Sequence, residues 1–231
     1  MAVKPCAQCG ELILDSPSDP KDEGTREHAV AQQFYFKALR SEIRGQLWTV
    51  PAHRRCNEAV KPDEEYFFHY FYPLVGVQNQ PMGQAMLAEL RRRATHSQTR
   101  GFIRRMLSEV THETPGGILL PPNVALVGVD ILRVQNAVVK TAQCLFYKDH
   151  GRFIPRSCCV HFELCQNPED VQELFGLLRH TPVQTVLPSV FQYWHVSFDG
   201  MHLFSTLFWE SFMFCLAFRK PEAASQVEPN T

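Results

Sequence analysis

At 231 residues, 45% hydrophobic and 20% charged, the chain has a globular balance with enough apolar matter for one large domain or two modest ones, which excludes extended disorder outside its tail. The formal net charge of -1 hides a segregation: residues 37–112 carry twelve Lys+Arg against seven Asp+Glu, while the segments on either side are each net acidic by three, so the middle stretch is the part suited to facing phosphate. Eight unevenly spaced cysteines without a basic-then-apolar leader argue against a secreted disulfide scaffold and for a reducing, cytoplasmic setting.

In chain order, the first chemistry is in "KPCAQCGEL". Cys6-x-x-Cys9 followed by Gly10 has the form of a zinc knuckle, two thiolates on one tight turn with a glycine permitting the backbone angle at which both sulfurs converge. Such a half-site needs partners, and "VPAHRRCNEAV" supplies His53-x-x-Cys56. Together Cys6, Cys9, His53 and Cys56 would close a Cys3His site for structural Zn2+, with no open position for chemistry. The alternative is a chance CxxC beside a core histidine, and two half-sites in one short region favour the metal. The first 60 residues offer few large apolar side chains. A structural zinc, worth on the order of 10 kcal/mol in folding, would then act as the core of this module.

Between the half-sites lies "DEGTREHAVAQQFY", in which Glu27-His28 precedes the second half-site by 25 residues. Taken in order, "CAQC", "REHAV" and "PAHRRCN", followed by the helical "EAVKPDEEYFFHYF", resemble the HNH (His-Me finger, ββα-metal) nuclease family over about residues 6–72. The resemblance implies a β-hairpin carrying the acid-histidine pair on its first strand and a following helix that supplies the last metal ligand. It makes Glu27 a ligand of a catalytic divalent ion and His28 the general base, and Asn57 falls where the family places its final metal-binding histidine or asparagine. Glu27 stands where the family often has aspartate, and Gln46 is the nearest polar match to the middle asparagine. Oxygen ligands with open water positions favour Mg2+ or Mn2+ at this second site. Lys61, early on the helix, is read as solvated, and His69, amid its aromatics, as packed or half exposed rather than catalytic.

Pro73, Gly76, Pro81 and Gly83 predict that the helix ends near Tyr72 and a connector follows. Two helical stretches come next, "QAMLAELRRRA" with Arg91, Arg92 and Arg93, and "TRGFIRRMLSEV" with Phe102, Ile103, Met106, Leu107 and Val110 inward and Arg100, Arg104 and Arg105 outward. These arginines could follow a nucleic-acid backbone or form a solvated face. Beyond residue 116, "VDILRVQNAVVKTAQCLFY" reads as a helix with Ile131, Val134, Val138, Ala142 and Leu145 on one face. "SCCVHFELC" alternates as a strand, and Asn167-Pro168 opens a short helix striped by Val171, Leu174, Phe175 and Leu178. "VFQYWHVSF", "MHLFSTLF" and "FMFCLAF" read as antiparallel strands joined at Asp199-Gly200 and near Glu210-Ser211. The apolar run over the last two is read as buried strands rather than a membrane span, because it holds His202 and Glu210. Cys158, Cys159, Cys165, His161 and His195 form a second metal set only on paper, since adjacent strand residues face opposite ways.

The expected organisation is α+β. It comprises a zinc-stabilised ββα-metal (HNH) module over 1–75, a helical basic connector over 76–115, a C-terminal α+β domain with a small antiparallel sheet over 116–220, and a flexible tail over 221–231. The expected function is metal-dependent DNA endonuclease. RNA is an alternative substrate, and a protein partner or a second copy would be met through the C-terminal domain. The rival reading is a non-catalytic zinc-stabilised module that binds nucleic acid or protein.

Overall fold

The computed structural model describes residues 4–35, 43, 47–78, 87–89, 91–122, 124–165 and 167–219. The expected tail at 221–231 and Gln46 lie outside these residues. Where the expected segmentation is linear, the chain groups instead into two compact units built from separated segments. Met1–Val30, Leu47–Asn57 and Val139–Thr231 form the first, and Ala31–Gln46 with Glu58–Val138 form the second. Composition along a chain cannot report which distant segment a helix buries its face against, so the boundaries expected near residues 75 and 116 both fall inside the second unit.

In the first unit, strands β1 (Gly24–His28) and β2 (Thr49–His53) pair antiparallel, with Gly24 opposite His53 and His28 opposite Thr49. Pro51 is tolerated in β2 because both strands of a two-stranded sheet are edges. Its carbonyl accepts the Ala7 N–H at 2.9 Å, which ties the N-terminal knuckle to the hairpin. Helix α1 (Arg54–Gln78) begins directly after β2. At this junction Arg54 pairs with Glu23, and Arg55 with Glu11 and with Asp22. These pairs are about half exposed, so each contributes less than about 1 kcal/mol.

The rest of the first unit is a sheet with helices on both faces. Strands β3 (Cys159–Cys165), β4 (Gln184–Leu187), β5 (Phe191–Phe198), β6 (Met201–Phe208) and β7 (Phe212–Arg219) form a five-stranded antiparallel sheet in the order β3-β7-β6-β5-β4. The β5–β6 hairpin turns on Asp199 (φ 45°) and Gly200 (φ 72°), the positive angles that a type I′ turn demands. The β6–β7 turn holds Trp209 and Glu210 left-handed at φ 51° and 55°, which costs roughly 1–2 kcal/mol per residue. Complete burial of the Trp209 indole offsets part of this.

Helix α2 covers Ser97–Ser108, α3 covers Ile131–His150 and α4 covers Pro168–Leu178. From the C-terminal half of α3, Lys148 reaches the Tyr193 hydroxyl at 2.9 Å and Phe146 meets the His202 ring, so this helix lies on the Tyr193 face of the sheet. On the opposite face α4 places Leu178, Val171 and Leu174 around Trp194 and Met213. Val134, Val138, Ala142 and Leu145 are buried as their spacing predicts, whereas Ile131 at the helix start is half exposed.

The second unit contains α1 from Glu58 onward, helical residues 87–89 and 91–93, α2, and the start of α3. Here the expected end of α1 near Tyr72 is corrected: the helix continues to Gln78 with Pro62 and Pro73 inside it. An interior proline costs about 3 kcal/mol through the lost N–H and the clash with the preceding turn. Phe67, Phe68, Phe71, Tyr72 and Val75 are all buried, and about 1.5–3 kcal/mol for each large apolar side chain outweighs that cost. Leu107, expected on the inner face of α2, is 61% exposed. Among the described residues no helix is long and apolar enough to cross a membrane, and the apolar run 201–218 forms β6 and β7.

Candidate metal centre and finger site

Cys6, Cys9, His53 and Cys56 come together, with one ligand atom from each lying within 4.8 Å of all the others. The knuckle forms because the Gly10 N–H closes onto the Cys6 carbonyl at 2.9 Å and Gly10 takes φ 78°. The Phe153 ring packs so closely on Gly10 that any Cβ there would collide with it, a second reason for glycine. The Gln8 N–H donates to Cys6 Sγ at 3.4 Å, and Cys9 Sγ lies 3.4 Å from His53 Nδ1. Tetrahedral zinc with bonds of about 2.0–2.3 Å requires ligand separations of roughly 3.3–3.8 Å, so the group can hold such an ion. Cys6 and His53 are fully buried.

The Cys6 thiol is pulled down to about 4, chiefly because the Cys56 thiol hydrogen-bonds to it. That same bond, together with burial, pushes Cys56 up. One sulfur of the pair is therefore ready to ligate as thiolate, and a cation would draw the proton off the other. None of the eight cysteines is in a disulfide.

The acid-histidine pair sits at the end of β1. His28 is half-buried, and its backbone carbonyl accepts a hydrogen bond from Lys140 Nζ at 2.8 Å. Glu27 is only 5% exposed, and its carboxylate forms an ion pair with Lys140, which is itself 2% exposed. This is a buried, mutually neutralising pair linking the hairpin to α3. Asn57 lies in the first turn of α1, half-buried, and its amide makes no hydrogen bond among the described residues. Lys61 is exposed, and His69 is buried among the rings of Phe68 and Phe102.

Lys140 had no role in the sequence reading, although a signal existed. It is the only charged residue between Arg133 and Lys148, on a helix with a buried stripe, and a lysine on such a stripe needs an acid. A chain of three imidazoles was also missed. His150 Nε2 lies 3.4 Å from His195 Nδ1, and His195 Nε2 lies 3.3 Å from His202 Nδ1. The Asp199-Gly200 turn sets the register that places His195 and His202 diagonally across the hairpin. The cysteines beside them do not assemble into a second metal set. Cys165 faces Cys215 at 3.4 Å, Cys159 donates to the His161 carbonyl, and the N-terminal cluster is the only group of three or more such ligands among the described residues.

The fold and site define an α+β protein with a small antiparallel sheet and a Cys/His cluster able to hold a metal near its N-terminus. No protein family, curated protein or solved structure matches the chain at a significant level.

Proposed function

We propose that the N-terminal finger hydrolyses phosphodiester bonds in DNA, as the HNH nucleases it resembles do, with His28 as general base. The observation that carries this reading is the order of parts. An antiparallel hairpin runs straight into a helix, the soft-ligand cluster sits at their junction, and His28 closes the first strand. A zinc held there would fix the hairpin against the helix start and leave its ligands no part in the chemistry.

The imidazole of His28 would take the proton of the attacking water, a task worth typically 10²–10⁴-fold in rate. Its backbone is held by Lys140, so the ring is presented from a fixed strand end. A divalent ion such as Mg2+ or Mn2+ supplies charge neutralisation at the phosphate when bound. Asn57, with its amide unengaged, suits such an ion. Glu27 suits it poorly as placed, because its carboxylate is buried on Lys140 and must part from it to reach a hydrated cation. Incubation of plasmid DNA with Mg2+ tests the reading: the protein nicks or cuts, and His28→Ala abolishes cleavage with zinc content and fold intact. Undiminished cleavage by that variant removes His28 from the role, and parallel digestion of RNA identifies the preferred polymer.

The Glu27–Lys140 pair favours a second reading, a non-catalytic zinc-stabilised module that docks nucleic acid or protein. One tightly held zinc per chain supports it. A second, exchangeable metal that disappears in Glu27→Ala supports the enzyme.

A further inference from the structure

The second unit contains a cavity of about 410 Å³ whose lining includes Tyr66, His69, Arg92, Arg93, Phe102 and Arg133. Three features of its wall are unusual together. The first is the state of the guanidiniums. Arg92 places Nε and Nη2 on Glu89 at 3.0 and 2.6 Å. Arg93 places Nε on the same carboxylate at 3.0 Å and Nη2 on the Gln33 carbonyl at 3.3 Å. Arg133 places Nε on Asp63 at 2.9 Å and Nη2 on the Pro62 carbonyl at 2.7 Å. In all three, Nη1 makes no hydrogen bond among the described residues. Arg93 and Arg133 also lie over the rings of Phe68 and Tyr66, at 4.0 and 4.5 Å from the centroids. Each guanidinium is thus immobilised along one edge with donors left over, and a ligand meeting them incurs little further loss of side-chain entropy.

The second feature is His69. It is 8% exposed, and its Nδ1 is buried without a hydrogen-bond partner. Burial, with a contribution from Arg93, pulls its imidazole down to about 4, so the ring is neutral near pH 7. That atom is closed to a ligand as it is to water, but the other nitrogen, Nε2, makes no hydrogen bond among the described residues and is what the ring offers the cavity it lines. The third feature is charge. Arg92, Arg93 and Arg133 are balanced by Glu89, Asp63 and the lining residue Glu65. Such a wall can hydrogen-bond one anionic group but has no surplus charge to offset a polyphosphate. The volume lies in the roughly 300–1,000 Å³ range of small-molecule sites, more than a bare anion needs.

We propose that this cavity binds one nucleotide unit whose phosphate is a diester, the single negative charge meeting the Nη1 edges of the three arginines and the base lying against Phe102 with its polar edge toward His69. An unpaired base in a strand and a cyclic nucleotide share this chemistry. A strand as the natural source rests on the nuclease reading; the site itself does not.

The test uses the full, zinc-loaded chain without added Mg2+. Fluorescence anisotropy measures binding of a short labelled oligothymidine, of the same oligomer with abasic sites, and of the normal oligomer competed by a cyclic mononucleotide, by ATP or by inorganic phosphate. The normal oligomer or the cyclic mononucleotide binds, ATP and phosphate compete poorly, and the abasic oligomer is weaker. Arg92→Gln and His69→Phe each weaken binding by about tenfold, the loss expected for one buried or charged hydrogen bond. Competition by the cyclic nucleotide without strand binding makes the free nucleotide the ligand. Arg92 is 49% exposed and can be changed without disturbing the core, so its variant decides the matter even where His69→Phe lowers stability. Equal binding of normal and abasic strands, unchanged affinity in Arg92→Gln, or no binding by either nucleotide form overturns the site. Plasmid nicking is scored separately: its absence with retained, Arg92-dependent binding counts against the nuclease and leaves the cavity's role standing.

Discussion

Within the first unit, the N-terminal segment, called the finger below, and the five-stranded sheet differ in what they offer for rigidity. The finger buries mainly small side chains, Cys6, Ala7, Ala29, Val30, Val50 and Ala52. The sheet buries Phe191, Tyr193, Phe204, Phe208, Trp209, Phe214 and Phe218. Each large side chain is worth about 1.5–3 kcal/mol, so the sheet can be held by burial alone, while the finger lacks the volume and gathers four soft ligands instead. A short segment carrying little apolar surface would gain rigidity from directional bonds to a metal, and a long aromatic one gains it from surface withdrawn from water.

The sharpest way to break this contrast is to remove the ligands. Cys56→Ala, or a strong zinc chelator, is expected to abolish metal binding and unfold the finger, a loss on the order of 10 kcal/mol of metal-coupled folding. The near-ultraviolet dichroism of the sheet's aromatic residues should persist, and amide exchange should rise only over residues 4–30 and 47–57. Finger amides that stay protected after the metal is stripped would show that burial suffices there too.

A smaller effect is expected where the hairpin is joined to α3. Lys140→Met leaves the Glu27 carboxylate buried without its cation and should lower stability by about 3–5 kcal/mol in urea unfolding. Adding Glu27→Gln should restore much of the loss, because the uncompensated charge rather than a missing contact causes it. A double variant as unstable as the single one would contradict this.

The smallest effect separates the two parts by pH. Burial first, then His150 and His202, pull His195 down to about 4, while Asp149 acts against them. The folded imidazole therefore stays neutral below the unfolded value of about 6.5, where the unfolded chain takes up the proton. Stability from this group is complete above pH 6.5 and declines as pH falls toward 4. Urea midpoints between pH 7 and 4 should drop, and His195→Phe should flatten part of that slope. His69 in the second unit is pulled down to about 4 as well, and it adds to the same window.

Much of the local structure was legible in residue order. The CxxC and HxxC spacings named the four ligands, Asp199-Gly200 marked its turn, and Asn167-Pro168 opened α4, because each signal acts within a few residues of itself. Pro73 misled for the same reason: its local penalty is real, but the buried rings before it and buried Val75 after it outweigh that penalty.

Residue types and spacings were sufficient to specify the Cys/His set able to hold a metal, the alternation of the strands and the α+β class, since these depend on backbone geometry over a turn or a pleat. The pairing of Lys140 with Glu27, the imidazole chain across α3, β5 and β6, and the meeting of His69 with arginines from separate segments around one cavity emerged only in three dimensions. A buried charge or hydrogen-bonding group takes whichever partner the packed chain brings within about 3 Å, and separation along the sequence carries no information about that choice.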